Sequence, residues 1–175
     1  MERLVVSDTN IFIDLVKLGI LADFFFLPWE IHTTDYVMDE LTDSAQYDAV
    51  INFYDRGRLA VGSFSAEEVV AIHDQSNQPG CHLSTTDLSV IQYSRKTKGC
   101  GILTGDKHLR EIAQKEGFEV HGILFVFDAL VEHGMLPEPL AATLLEQLYS
   151  FNKHLPVAEI EERINKWDHR EKYVF

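Results

Sequence analysis

The chain has 175 residues, 46% of them hydrophobic, and a formal net charge of −13. That length supports one domain with a real core, and the apolar content excludes a disordered chain. So acidic a chain is not a general nucleic-acid coat, because phosphate binding rests on Lys and Arg.

Arg3–Ser7 is short, apolar and β-branched, as a buried strand is. Ile11–Leu18 reads as a helix that Gly19 ends. Phe24–Leu27 is an apolar run that Pro28 breaks, and Glu30–Thr34 reads as a second strand. Asp35 is the expected cap of a helix carrying Val37, Met38 and Leu41 on one side. Tyr47–Tyr54 continues as helix to Gly57, and Leu59–Phe64 reads as a strand. Ser65 to Glu68 is a capping box, and Asn77–Gly80 is a polar turn. Ser84 to Asp87 forms a second box with Asp in place of Glu, opening a helix to about Lys98. Gly101–Thr104 is a strand, Gly105–Asp106 a turn, and Lys107–Glu116 a helix before Gly117. Phe118–His121 is the last strand and Ile123–Glu132 a helix ended by Gly134. Pro137 and Pro139 start a leucine-bearing helix, and Ala158–Trp167 is the final one.

Alternating strands and helices predict an α/β fold around a mostly parallel sheet. Residues 1–136 are read as the main domain. Residues 137–175 are read as a C-terminal helical extension packed on it, its leucines belonging to the core in preference to a homodimer face. No apolar stretch reaches the ~18 residues of a membrane span, and the first seven residues lack the pattern of a signal peptide. Cys81 and Cys100 offer neither metal-ligand spacing nor a disulfide framework and suit a reducing compartment. A soluble cytoplasmic protein is expected.

The charge is uneven. Residues 1–80 hold 4 Lys and Arg against 14 Asp and Glu, whereas residues 81–110 hold five cations against Asp87 and Asp106. This stretch, with Arg95, Lys96, Lys98, Lys107 and Arg110, is the expected phosphate-attracting face.

Sites of parallel α/β sheets form beyond the carboxyl ends of the strands. Asp8 follows the first strand and Asp106 follows the Gly101–Thr104 strand, so neighbouring strands would bring the two together. Asp87 in the first turn of its helix, and Glu40 in the helix after the second strand, are the remaining candidates. Each also has an ordinary use: helix capping for the aspartates, solvated charge for Glu40 beside Asp39 and Asp43. Four converging carboxylates repel one another and need a cation. All-oxygen donors point to Mg²⁺ or Mn²⁺.

In order and context these acids resemble those of the PIN-domain nucleases, which include the ribonuclease toxins of VapC-type toxin–antitoxin pairs. The opening strand is followed by Asp8-Thr9-Asn10, Glu40 stands in "VMDEL", Asp87 in "TTDLSVIQYS", and Asp106 in "LTGDKHLREIA" after Thr104. "GFEVHG" matches the short last strand of the family, and the resemblance covers roughly residues 3–135. It implies a PIN-like three-layer α/β/α sandwich and metal-dependent hydrolysis of RNA phosphodiester bonds. Asp8, Asp87 and Asp106 would bind the ion and Glu40 would complete the set. Asn10 would orient Asp8 or face substrate, and Thr104 would bond a ligand carboxylate or a metal-bound water. A toxin of this kind would have an antitoxin protein as partner.

Two rivals differ in class. A phosphotransferase with Asp8 as nucleophile wants a second acid two residues on, where this chain has Asn10. A non-catalytic or degenerate PIN-like protein-interaction module would use the acids only as caps and gain no stability from metal.

Overall fold

The computed structural model describes residues 3–168. Five strands, β1 (Arg3–Ser7), β2 (Trp29–Thr34), β3 (Ala60–Gly62), β4 (Gly101–Leu103) and β5 (Glu119–His121), form one sheet in the order β3-β2-β1-β4-β5. Every pairing is parallel, and parallel neighbours need helical crossovers. The sequence supplies them as α1 (Thr9–Leu18), α2 (Leu21–Phe26), α3 (Asp35–Glu40), α4 (Ser44–Asp55), α5 (Ala66–Ser76), α6 (Thr85–Lys96) and α7 (Lys107–Lys115). Helices α8 (Ile123–Glu132), α9 (Glu138–Phe151) and α10 (Val157–Trp167) follow the last strand. The result is an α/β fold with helices flanking a parallel sheet.

Covered on both sides, β1 and β4 carry mostly apolar residues, as buried parallel strands do, whereas β2 mixes Ile31 with Glu30, His32 and two threonines. Val5, Val6, Ile31, Ile102 and Leu103 are buried in the sheet. Phe12 of α1 stacks on Phe25 of α2, which stacks on Phe53 of α4 at 4.3 Å between ring centroids. These rings hold α1, α2 and α4 together, and α6 packs across β1, β2 and β4. Gly19 takes φ 72° and closes α1, a conformation that costs glycine nothing.

The helices differ from the sequence reading at three points. Leu21–Phe26 is helical, although the apolar run Phe24–Leu27 carries no helical period. Thr34, and not Asp35, caps α3: its extended backbone aims the hydroxyl at the Val37 N–H, while Asp35 accepts from Tyr36. Finally, α6 ends at Lys96 because Thr97 turns extended. In the C-terminal stretch, Ala141, Leu144, Leu145 and Leu148 of α9 are buried, whereas Leu140 is 46% exposed. Asn152 donates to Asp14 of α1 at 3.0 Å, and Arg163 of α10 grips Asp128 of α8 at 2.6 and 2.8 Å.

Candidate functional site

The chain leaves β1 toward β2 and β3 on one side and returns through β4 to β5 on the other. The carboxyl ends of β1 and β4 therefore flank the point where strand order reverses, where open α/β sheets leave a crevice. Ser7 pairs with Leu103, and the Asp8 N–H donates to the Leu103 carbonyl at 2.9 Å. This backbone contact brings Asp8 beside Thr104 and the turn to Asp106, though the residues lie almost a hundred positions apart.

Asp8 is 4% exposed and caps α1. Its Oδ1 accepts from Thr9 N at 2.8 Å, and its Oδ2 accepts from the Thr104 hydroxyl at 2.8 Å and from Asn10 Nδ2 at 3.2 Å. Asn10 Oδ1 in turn accepts from Gly105 N at 3.0 Å, so Asn10 staples the ends of β1 and β4. Asp106 caps α7 through Leu109 N at 2.8 Å, and its own N–H donates to the Thr104 hydroxyl at 3.0 Å. Asp87 closes the capping box of α6, accepting from both the amide and the hydroxyl of Ser84 at 2.8 Å. Glu40, exposed at the end of α3, accepts from the Thr9 hydroxyl at 3.1 Å. Its rival Asp43 instead caps α4.

The acids feel one another. Burial pushes the Asp8 carboxyl up to about 7, donation from Thr104 and Thr9 opposes this, and the charges of Asp87 and Glu40 add to it. Asp87 is likewise raised, first by burial, against its Ser84 bonds, with Asp106 and Glu40 adding repulsion. No Lys or Arg among the described residues forms an ion pair with any of the four. Oxygen donors that repel and lack a cationic partner suit a hard divalent ion. As they stand, no group of three or more His, Cys, Asp or Glu among the described residues is arranged to hold a metal ion. The three aspartates each turn carboxylate oxygens toward helix-start donors.

Two features escaped the sequence reading. Thr9 links Glu40 to the Asp8 turn, and a buried hydroxyl pair, Thr34 and Ser89 at 2.8 Å, joins α3 to α6 beneath the edge. Thr9 sits inside the motif, but nothing local identifies Glu40 as its partner. The expected basic face is a correction. Arg95 is held by Glu116 and Lys96 by Glu68, both from outside the 81–110 stretch. Arg110 bonds the backbone carbonyls of Thr104 and Val120. Part of the local excess of cations in sequence is thus spent on ion pairs, while the bonds of Arg110 go to neutral carbonyls.

A family model described as a PIN domain matches residues 4–169. The chain belongs to the PIN-domain family. PIN domains are generally nucleases, so membership supports a nuclease-type function and a nucleic-acid substrate. No curated protein matches this PIN-domain chain. Among solved structures, the PIN domain endonuclease Utp24 is similar at 17% identity, over 68% of this chain and 84% of that one, with a TM-score of 0.46. No helix among the described residues is long and apolar enough to cross a membrane.

Proposed function

We propose that the chain is an endoribonuclease dependent on Mg²⁺ or Mn²⁺, with Asp8, Glu40, Asp87 and Asp106 as its catalytic carboxylates. The observation that carries this reading is geometric: at the strand-order reversal Thr104 bonds both Asp8 and Asp106, Thr9 bonds Glu40, and no Lys or Arg among the described residues pairs with these acids. Asp8, Asp87 and Asp106 would hold the ion, and Glu40 would complete the set directly or through water. A bound divalent ion supplies Lewis acidity at the phosphoryl oxygen and a more acidic water. The chain's own residues do the positioning. Thr104 and Asn10 hold Oδ2 of Asp8, and Thr9 holds the Glu40 carboxylate. Residues 1–136 form the nuclease unit in this reading and residues 137–175 its helical extension. A toxin role, with an antitoxin partner, is the narrower form of the proposal. Growth arrest on expression, relieved by Asp8→Asn, supports that form; arrest that persists in the variant rejects it.

The deciding experiment is a titration of MnCl₂, then MgCl₂, with thermal melting and cleavage of a mixed RNA read together. Stabilisation and cleavage in the wild type, both lost in Asp8→Asn and Asp106→Asn, support the reading. No melting shift and no cleavage reject it. They leave a degenerate, protein-binding PIN domain, the reading favoured by the helix-start bond that each aspartate already makes.

A further inference from the structure

A cleft of about 540 Å³ lies at the carboxyl ends of β4 and β5. It opens at Gly105, next to Asp106, follows α8, and is walled on its far side by the loop between α9 and α10. Lys107 and Arg110 stand near its mouth in sequence, and His154 and Arg163 come from the far wall. Two acids, Asp128 and Glu159, also line it, and both are engaged by Arg163. Asp128 takes its two short bonds and Glu159 lies 3.7 Å from Nη1.

That leaves Lys107 and Arg110 without an acid of the cleft. Lys107 is 84% exposed and its pair with Glu111 is stretched to 3.9 Å. Among the described residues Arg110 makes no ion pair. Its guanidinium donates to the Thr104 carbonyl at 2.9 Å and to the Val120 carbonyl at 3.3 Å. Those neutral partners fix the group without cancelling its charge. Gly122 provides the room, since a Cβ there would stand 3.1 Å from Nη2. A held guanidinium with remaining donors is the group best suited to a phosphate oxygen.

We propose that this cleft receives the sugar-phosphate backbone of a single RNA strand beside the bond to be cleaved. Arg110 and Lys107 are the phosphate contacts, and His154 closes the far side. The proposal rests on the nuclease reading above and adds the path of the substrate. Such contacts position a strand without reading its bases. They also explain how a chain of charge −13 admits a polyanion, since the attraction need only be local.

The test is fluorescence anisotropy with a labelled 12-nucleotide oligouridylate in calcium buffer, at several salt concentrations, with the oligomer checked for integrity. Wild type is compared with Lys107→Ala/His154→Ala, both exposed positions, and with Lys115→Ala, which lines a different cleft beside His82. The double variant is expected to bind at least tenfold more weakly, with a salt slope shallower by about 0.7 for the lost lysine. Lys115→Ala is expected within twofold of wild type. A double variant within twofold of wild type overturns the proposal, as does a Lys115→Ala loss of equal size. Cleavage of the same oligomer in MnCl₂ is read separately. Wild type that binds through the cleft but cleaves neither this oligomer nor the mixed RNA rejects the nuclease reading and keeps the cleft. Cleavage with unchanged KM in the double variant does the reverse.

Discussion

The Thr104 hydroxyl donates to Asp8 Oδ2 at 2.8 Å and accepts from the Asp106 N–H at 3.0 Å, so one buried side chain ties two candidate ligands together across β1 and β4. Thr104→Val keeps the shape and removes both bonds. It leaves a buried carboxylate and an amide short of partners, which costs about 1–3 kcal/mol. Urea unfolding should show that loss, and cleavage should fall with it. Thr104→Ser should restore both; a valine variant as stable and active as wild type would reject the link.

Asp8 should make stability of the metal-free protein depend on pH. Its carboxyl lies at about 7 in the fold against 3.8 as an ordinary aspartate, chiefly through burial. A raised carboxyl favours folding while protonated. Its contribution is complete below the unfolded value and is lost as pH rises through the folded one. Wild type in chelator should therefore lose on the order of 2–3 kcal/mol between pH 5 and pH 7.5 through this group. Asp8→Asn should flatten that part of the curve. Parallel pH curves for the two proteins would exclude Asp8 as the source.

Thr9→Val should separate positioning from folding. Glu40 is exposed, so losing the Thr9 bond at 3.1 Å should change melting by less than about 1 kcal/mol. The metal concentration for half-maximal cleavage should rise several-fold. Unchanged metal dependence would remove Glu40's anchor from the account.

Deleting residues 137–175 should abolish cooperative melting. The deletion removes Leu144, Leu145 and Leu148 from the core and uncovers the apolar surface they pack on. It also leaves Asp14, a buried acid raised by that burial, without Asn152. A truncated chain with a sharp transition near that of the full chain would show that residues 3–136 fold alone. Asn152→Ala is the milder form, expected to cost about 1–3 kcal/mol.

Local chemistry made much of this fold legible. The run Arg3–Ser7, closed by an acid, reads as a strand meeting a helix, and Ser65 with Glu68 reads as a box; both are interactions within four residues. The carboxyl-end positions of Asp8 and Asp106 followed from the same local reading. Their meeting did not, because β4 lies beside β1 only through a pairing almost a hundred residues long-range. The choice between Thr34 and Asp35 as cap was equally closed, since both side chains can cap and backbone angle decides. The counter-charges of Arg95 and Lys96 come from Glu116 and Glu68, partners that no count over a window reveals.

The capping roles of Asp8 and Asp106 have a consequence for how this protein can change. Asparagine caps a helix about as well as aspartate. An Asp-to-Asn exchange at Asp106, whose carboxylate holds Leu109 N alone, therefore strips a negative charge from the crevice while leaving the helix start in place. At the buried Asp8 the same exchange removes a group that burial opposes. Both Asp8 oxygens accept from donors, however, so an asparagine there turns its own NH2 against one of them, and selection on stability alone would let only Asp106 drift. A lineage that lost the need for the chemistry would keep a sound scaffold with its cleft still open to a strand.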